Sequence, residues 1–131
     1  MSNTGLQAEH LAVNITANNL AASIKFYSEG LGFEVVHRHE EAGVLHYVMM
    51  KGGSALVGLG TDDFAKGRDR KKGIGLRIWV TTKQDVKALA ERAKKAGLTL
   101  DDGPAALPWG PMAFAVTDPD GFKVTIANPS E

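Results

Sequence analysis

His10-Leu11-Ala12-Val13-Asn14-Ile15-Thr16, followed almost at once by Asn18-Asn19-Leu20-Ala21-Ala22-Ser23-Ile24-Lys25-Phe26-Tyr27, reads as a strand passing directly into a helix. Leu11, Val13 and Ile15 alternate with His10, Ala12, Asn14 and Thr16, the period-two pattern of a half-buried strand. Asn18 and Asn19 supply N-cap chemistry for a helix expected over 19–29. Leu20, Ile24 and Tyr27 fall on one helical face with Ser23 beside them, and Gly30 is placed to end the helix in the left-handed conformation. Strands are expected next at 33–39, 44–50 and 55–59, separated by Glu40-Glu41-Ala42-Gly43 and Lys51-Gly52-Gly53-Ser54. The order of elements is βαβββ.

The same order returns downstream. Leu76, Ile78 and Val80 alternate with Gly75, Arg77 and Trp79. Thr82 can cap a helix to about Ala96, with Asp85 at the capping-box position, Val86, Leu89 and Ala93 as the apolar stripe, and Gly97 as terminator. Short strands are expected at 98–100, 112–117 and 122–127, the last two joined by Asp118-Pro119-Asp120-Gly121. Ile15 aligns with Ile78 and Asn19 with Thr82, both 63 positions apart; identity at that offset is poor, so the repeat is one of pattern. One α+β domain over 1–131 is expected, with a first module at about 8–60, a connector at 61–73 and a second module at about 74–128. The connector holds Arg68-Asp69-Arg70-Lys71-Lys72 and reads as a solvated, exposed loop.

Composition narrows the function classes. The 131 residues are 44% hydrophobic and 23% charged, enough for one domain with a real core. Fifteen basic and fifteen acidic residues cancel, so no global field recruits nucleic acid or an anionic membrane. The absence of cysteine removes disulfides, thiol nucleophiles and iron–sulfur clusters. No apolar run approaches the ~20 residues of a membrane span, and Met1 to His10 has neither the basic nor the apolar region of a signal peptide. A cytoplasmic protein is expected.

Asn19-Leu20-Ala21-Ala22-Ser23-Ile24-Lys25-Phe26-Tyr27 with Leu31-Gly32-Phe33, and later Trp109-Gly110-Pro111 with Asp118-Pro119-Asp120-Gly121, resemble signatures of the vicinal oxygen chelate superfamily. That group includes glyoxalase I, extradiol dioxygenases and bleomycin-resistance proteins, and the pattern here is nearest to bleomycin-resistance-like members. The likeness covers nearly the whole chain. It implies two βαβββ modules forming a curved, partly open sheet around a cleft, with helices outside. Leu11, Val13 and Ile15 then pack under a helix, as do Leu76, Ile78 and Val80. His10, Ala12 and Asn14 face the cleft, as do Gly75, Arg77, Trp79, Lys123 and Thr125. The resemblance further implies a homodimer whose clefts are completed by the partner, and open sheet edges need cover in any case.

Metal-dependent members of that superfamily hold a divalent ion with His and Glu side chains. In this sequence the corresponding positions fall on Ala12, on Val57 or Gly58, on Gly75 and on Thr125, none of which can replace an imidazole or carboxylate. No metal at that position and no cofactor are therefore expected. His10 lacks a matching second ligand. His37, His39 and His46 would share one hairpin face if Glu40–Gly43 were a four-residue loop, and such a trio is either a metal site or a set of ordinary strand residues. Gly58-Leu59-Gly60 is too short for a phosphate loop, and packing explains Ser23 better than nucleophilic chemistry does.

What remains is a binding chemistry. Trp79 and Trp109 offer flat apolar surfaces unless they are core residues, Arg77 and Lys123 offer positive charge, and Asn14 and Thr125 offer neutral hydrogen bonds. The expected function is metal-independent binding of a partly aromatic, polar or anionic small molecule, with a resistance role by analogy. The competing class is an enzyme of the same superfamily, a lyase, isomerase or dioxygenase, with a lost or relocated metal.

Overall fold

The computed structural model describes residues 5–67 and 69–130, so Arg68 of the basic run and residues 1–4 of the amino terminus lie outside the described residues. Alternation in the first module builds a mixed four-stranded sheet from β1 (Ala12–Ala17), β2 (Glu34–Glu41), β3 (Val44–Gly52) and β4 (Ala55–Thr61), in the order β1-β4-β3-β2. β1 runs parallel to β4, and the other neighbours are antiparallel. The second module repeats this with β5 (Arg77–Thr81), β6 (Asp102–Ala106), β7 (Met112–Thr117) and β8 (Lys123–Ala127), in the order β5-β8-β7-β6. The architecture is thus α+β with two βαβββ modules, each carrying its own mixed sheet.

Each sheet has a core side. Ile15, Val57, Leu59, Val48 and Met50 are buried in the first, and Phe114, Val116, Val124 and Ile126 in the second. They join one apolar cluster with Tyr27, Phe26, Val86, Ala90 and Ala93 from the helices. The first helix is α1 (Leu20–Lys25), continued by a π-helical turn, Phe26–Gly30, in which two consecutive aromatic residues are buried. Asn19 caps it by accepting a hydrogen bond from the Ala22 N–H, as the sequence led one to expect. Gly30 does not carry the left-handed turn: Gly32 does, at φ +88°. Gly30 supplies space instead, since a Cβ there would lie 2.6 Å from Leu98 Cδ2.

The second helix, α2 (Val86–Lys95), begins later than expected. Asp85 is the N-cap, accepting from the Lys87 and Ala88 N–H groups. Thr82 remains tied to the sheet margin, its N–H donating to Ala127 O and its carbonyl accepting from Asn128 Nδ2. The strand expected at 98–100 forms at Asp102–Ala106 instead. Leu98 and Leu100 pack against the core from the link that follows α2. Leu11 and Leu76, expected under the helices, are 85% and 42% exposed. Each precedes the first paired residue of its strand, Ala12 and Arg77, so no neighbouring strand carries it under a helix.

The connector is largely exposed, as expected, but Asp62, Arg70 and Lys72 within it are drawn into an ion network. Lys72 Nζ lies 2.7 Å from Asp62 Oδ2 and 3.6 Å from Asp120 Oδ1, and donates to Asn18 Oδ1 at 2.9 Å. Arg70 Nη2 joins Asp62 at 2.9 Å. The Lys72 side chain is only 5% exposed, so the link between modules is an ion network reaching both. Hydrogen bonds from Lys72 first, then from the Phe64 N–H and Arg70, hold the Asp62 carboxyl below the usual carboxylate range.

Candidate functional site

Four residues of the two best-matching sequence signatures turn out to bind each other. The Tyr27 hydroxyl donates to Asp118 Oδ2 at 2.9 Å, Ser23 Oγ to Asp120 Oδ2 at 3.2 Å, and the Asn18 N–H to Asp120 Oδ1 at 2.9 Å. Asp118 Oδ1 accepts the Asp120 and Phe122 N–H groups, closing its own turn. Burial pushes Tyr27 far above its ordinary pKa, and the adjacent Asp118 carboxylate pushes the same way. Burial also raises Asp118, against the N–H and hydroxyl donors that favour its charge. These residues clasp the first module to the second. Ser23, fully buried and engaged with Asp120, has no access to a substrate.

The open face of the second sheet holds a cavity of about 540 Å³. Arg77, Trp79, Trp109, Lys123 and Thr125, five of the six expected site residues, line it. Trp79 and Trp109 stack with ring centroids 6.3 Å apart at 24°. They are 47% and 60% exposed, so neither is a core residue. Arg77 opposes Lys123 across the β5–β8 pair, and Trp79 opposes Thr125. Arg77 Nη1 donates to Thr125 Oγ1 at 3.0 Å, which fixes the guanidinium over the sheet and leaves its other donors without a partner among the described residues. Neither Arg77 nor Lys123 forms an ion pair among the described residues. The floor is small: Ala113 and Ala115. A second cleft of about 480 Å³ adjoins, sharing Arg77 and Lys123 and bounded by Gly73, Ile74 and Gly121.

Sequence reasoning missed the acidic wall. Asp101 and Asp102 line the same cavity, where no carboxylate was expected. Asp101 accepts the Thr117 hydroxyl, while Asp102 has no side-chain partner among the described residues. The error follows from placing the strand at 98–100: a Gly-Pro pair inside Asp102–Ala106 hides a strand from pattern reading.

Asn14, the sixth expected residue, sits apart on the open face of the first sheet. Its Oδ1 accepts the Tyr47 hydroxyl at 2.9 Å, an interaction that depends on Gly58. A Cβ at Gly58 would collide with both Asn14 Oδ1 and the Tyr47 hydroxyl. The register places Gly58, not the buried Val57, beside Asn14 on that face.

The positions to which the resemblance assigns metal ligands carry Ala12, Gly58, Gly75 and Thr125, which together offer one hydroxyl, already accepting from Arg77. Such a set does not fit a divalent ion. The histidines do not replace it. Ala42 and Gly43, at φ 51° and 79°, make a two-residue turn, so Glu41 pairs with Val44 and the anticipated four-residue loop does not form. His37 then opposes Met49 and His39 opposes Tyr47, and a register shift leaves His46 opposite neither. His10 is exposed ahead of β1. Among the described residues, no group of three or more His, Cys, Asp or Glu side chains is placed to hold a metal.

A family model described as the Glyoxalase/Bleomycin resistance protein/Dioxygenase superfamily matches residues 7–126. A search of curated proteins returned no match. Among solved structures, the chain is similar to TioX from Micromonospora sp. ML1, with a TM-score of 0.75, 17% identity, and 92% of this chain and 98% of that one covered. It is similar to TnmS3, an antibiotic binding protein from Streptomyces sp. CB03234, with a TM-score of 0.71, 24% identity, and 95% and 98% covered. It is also similar to a superfamily member from Sphaerobacter thermophilus DSM 20745, with a TM-score of 0.72, 25% identity, and 94% and 98% covered. No helix among the described residues is long and apolar enough to cross a membrane.

Proposed function

The chain belongs to the Glyoxalase/Bleomycin resistance protein/Dioxygenase superfamily, and within it we propose a metal-independent binding protein that holds a partly aromatic, anionic small molecule against the second sheet. The observation that carries this reading is the joint lining of one cavity by Trp79, Trp109, Arg77 and Lys123. An aromatic ring extends the indole stack, whose two members are both partly exposed, and gains stacking beyond its buried area. A carboxylate or enolate takes the unspent guanidinium donors and the Lys123 ammonium. Medium-sized ligands fill cavities of this volume, with a few polar groups setting orientation. The antibiotic-binding neighbour of the same fold is consistent with a sequestering role.

The same proposal includes a homodimer. β1 and β5 are edge strands, and Leu11, Ile74 and Leu76 beside them are exposed. Leu11 and Ile74 occupy equivalent places in the two modules, so one two-fold interface covers both. Light scattering at tens of micromolar should give twice the 13.9 kDa chain mass, and a monomeric mass refutes it. Elemental analysis should find no stoichiometric metal, and 2-naphthoate should bind by calorimetry to wild type and bind more weakly to Trp79→Ala. Metal retained through mild chelation, or no binding of 2-naphthoate or related aryl carboxylates, overturns the reading.

A further inference from the structure

The cavity carries opposite charges that do not neutralise each other. One row of paired residues runs straight across the second sheet, from Trp79 through Thr125 and Ala115 to Asp102. The next row holds Arg77, Lys123 and Thr117. Positive charge is thus confined to β5 and β8, at one end, and Asp102 stands on β6, at the other. Three strand spacings separate Arg77 and Trp79 from the Asp102 backbone, ~14 Å. Arg77 and Lys123 oppose each other directly, a like-charged cross-strand pair that destabilises a sheet. Asp102 lies on the same face with no cation paired to it among the described residues. Between the two ends stand Ala113 and Ala115, with the Thr125 and Thr117 hydroxyls already bonded to Arg77 and Asp101.

We infer that this cavity takes an amphoteric ligand: a flat aromatic body with an anionic group at the Arg77–Lys123 end and a protonated amine at the Asp102 end. The inference rests on the reading of this cavity as the ligand site and adds Asp102 as the residue that selects for the amine. Hydrogen bonds between ions are the strong ones, and each end of the ligand supplies the missing counter-charge. Asp101, already accepting from Thr117, orients the β6 end of the wall rather than contacting the amine. A ligand lacking the amine leaves Asp102 solvated and loses only that contribution, so the discrimination is a graded preference.

Three probes separate the terms by calorimetry on the full chain: 2-naphthoate, 2-(aminomethyl)naphthalene and 6-(aminomethyl)-2-naphthoate. The amphoteric probe should bind about tenfold more tightly than either of the others. Asp102→Asn, a near-isosteric change at an exposed position, should abolish that advantage without weakening 2-naphthoate binding. Asp102→Ser should do the same, which guards against a local rearrangement in one variant. Equal binding of 2-naphthoate and the amphoteric probe, or an advantage that survives both substitutions, overturns the inference while leaving the aromatic-anion reading intact. Tightest binding of 2-(aminomethyl)naphthalene overturns both, and so does failure of all three probes to bind.

Discussion

Tyr27→Phe should loosen the clasp between the modules, and its size follows from the atoms removed. The substitution deletes one hydroxyl from a fully buried side chain and leaves the Asp118 Oδ2 atom without its donor at a residue only 4% exposed. A buried charged acceptor stripped of a hydrogen bond costs about 1–3 kcal/mol. Unfolding entropy of about 2.1 cal/mol/K per residue over a chain of this length converts that to a fall of about 4–11 °C in Tm. The pH profile is the sharper assay. Burial and Asp118 hold the Tyr27 proton well beyond its ordinary pKa of 10.0. Below pH 10 both states keep that proton and the contribution is complete. Above it the unfolded chain releases the proton and the folded chain retains it, so stability falls by about 1.4 kcal/mol per pH unit. The Phe variant lacks this proton, so its urea-melt stability should start lower at pH 8 and decline less steeply from pH 10 to 11. A variant within about 2 °C of wild type that keeps the same alkaline slope refutes the clasp.

Asp62 works in the opposite direction at acid pH. Its carboxyl is held below the ordinary 3.8, so its stabilisation is complete above that value and is lost as pH falls beneath it; Asp62→Asn should flatten the acid limb of a urea-melt series. Gly58→Ala should part Tyr47 from Asn14, seen as loss of the hydroxyl hydrogen bond in a variant crystal structure together with a lowered Tm. Trp79→Ala should weaken 2-naphthoate by about 1–3 kcal/mol while moving Tm by under about 2 °C, because the indole is half exposed rather than packed in the core. Arg77→Lys should weaken it too, since an ammonium cannot both hold Thr125 and grip a carboxylate with a planar fork.

The fold was legible because its evidence is periodic. Alternation at Val13 and Ile15 recurs at Leu76 and Ile78, and a helix follows each strand within a few residues. What pattern reading lost was decided by partners distant in sequence. Lys72 sits in a run of charges that, alone, looks solvated; only folding brings Asp62 and Asp120 to it. The three histidines looked convergent under one loop length and separate under the two-residue turn that forms. Asp102 was invisible because its strand begins with Asp-Gly-Pro, a sequence without alternation. Tyr47 went unnoticed because its reach to Asn14 crosses a glycine on the intervening strand, which is apparent only once the register is known.

The two sheets share one topology and differ in what stands on their open faces. The Asn14–Gly58 pair of the first corresponds to the Arg77–Lys123 pair of the second, and Gly60–Tyr47 corresponds to Thr125–Ala115. In the first sheet two glycines make room for one tyrosine, which lies across them and fastens to Asn14. In the second the tyrosine position is alanine, the glycine positions carry Lys123 and Thr125, and the volume stays open as a cavity edged by charge and indole. The signature residues Ser23, Tyr27, Asp118 and Asp120 are used up in holding the modules together. They report the fold whatever the ligand, and they carry no chemistry into the cavity. Of the signature residues, Trp109 is the one that lines the cavity; the proposed ligand contacts otherwise come from Arg77, Trp79, Lys123 and Thr125, outside the signatures. A chain can thus keep the superfamily's architecture while the four positions that the resemblance assigns to metal ligands carry only alanine, glycine and threonine.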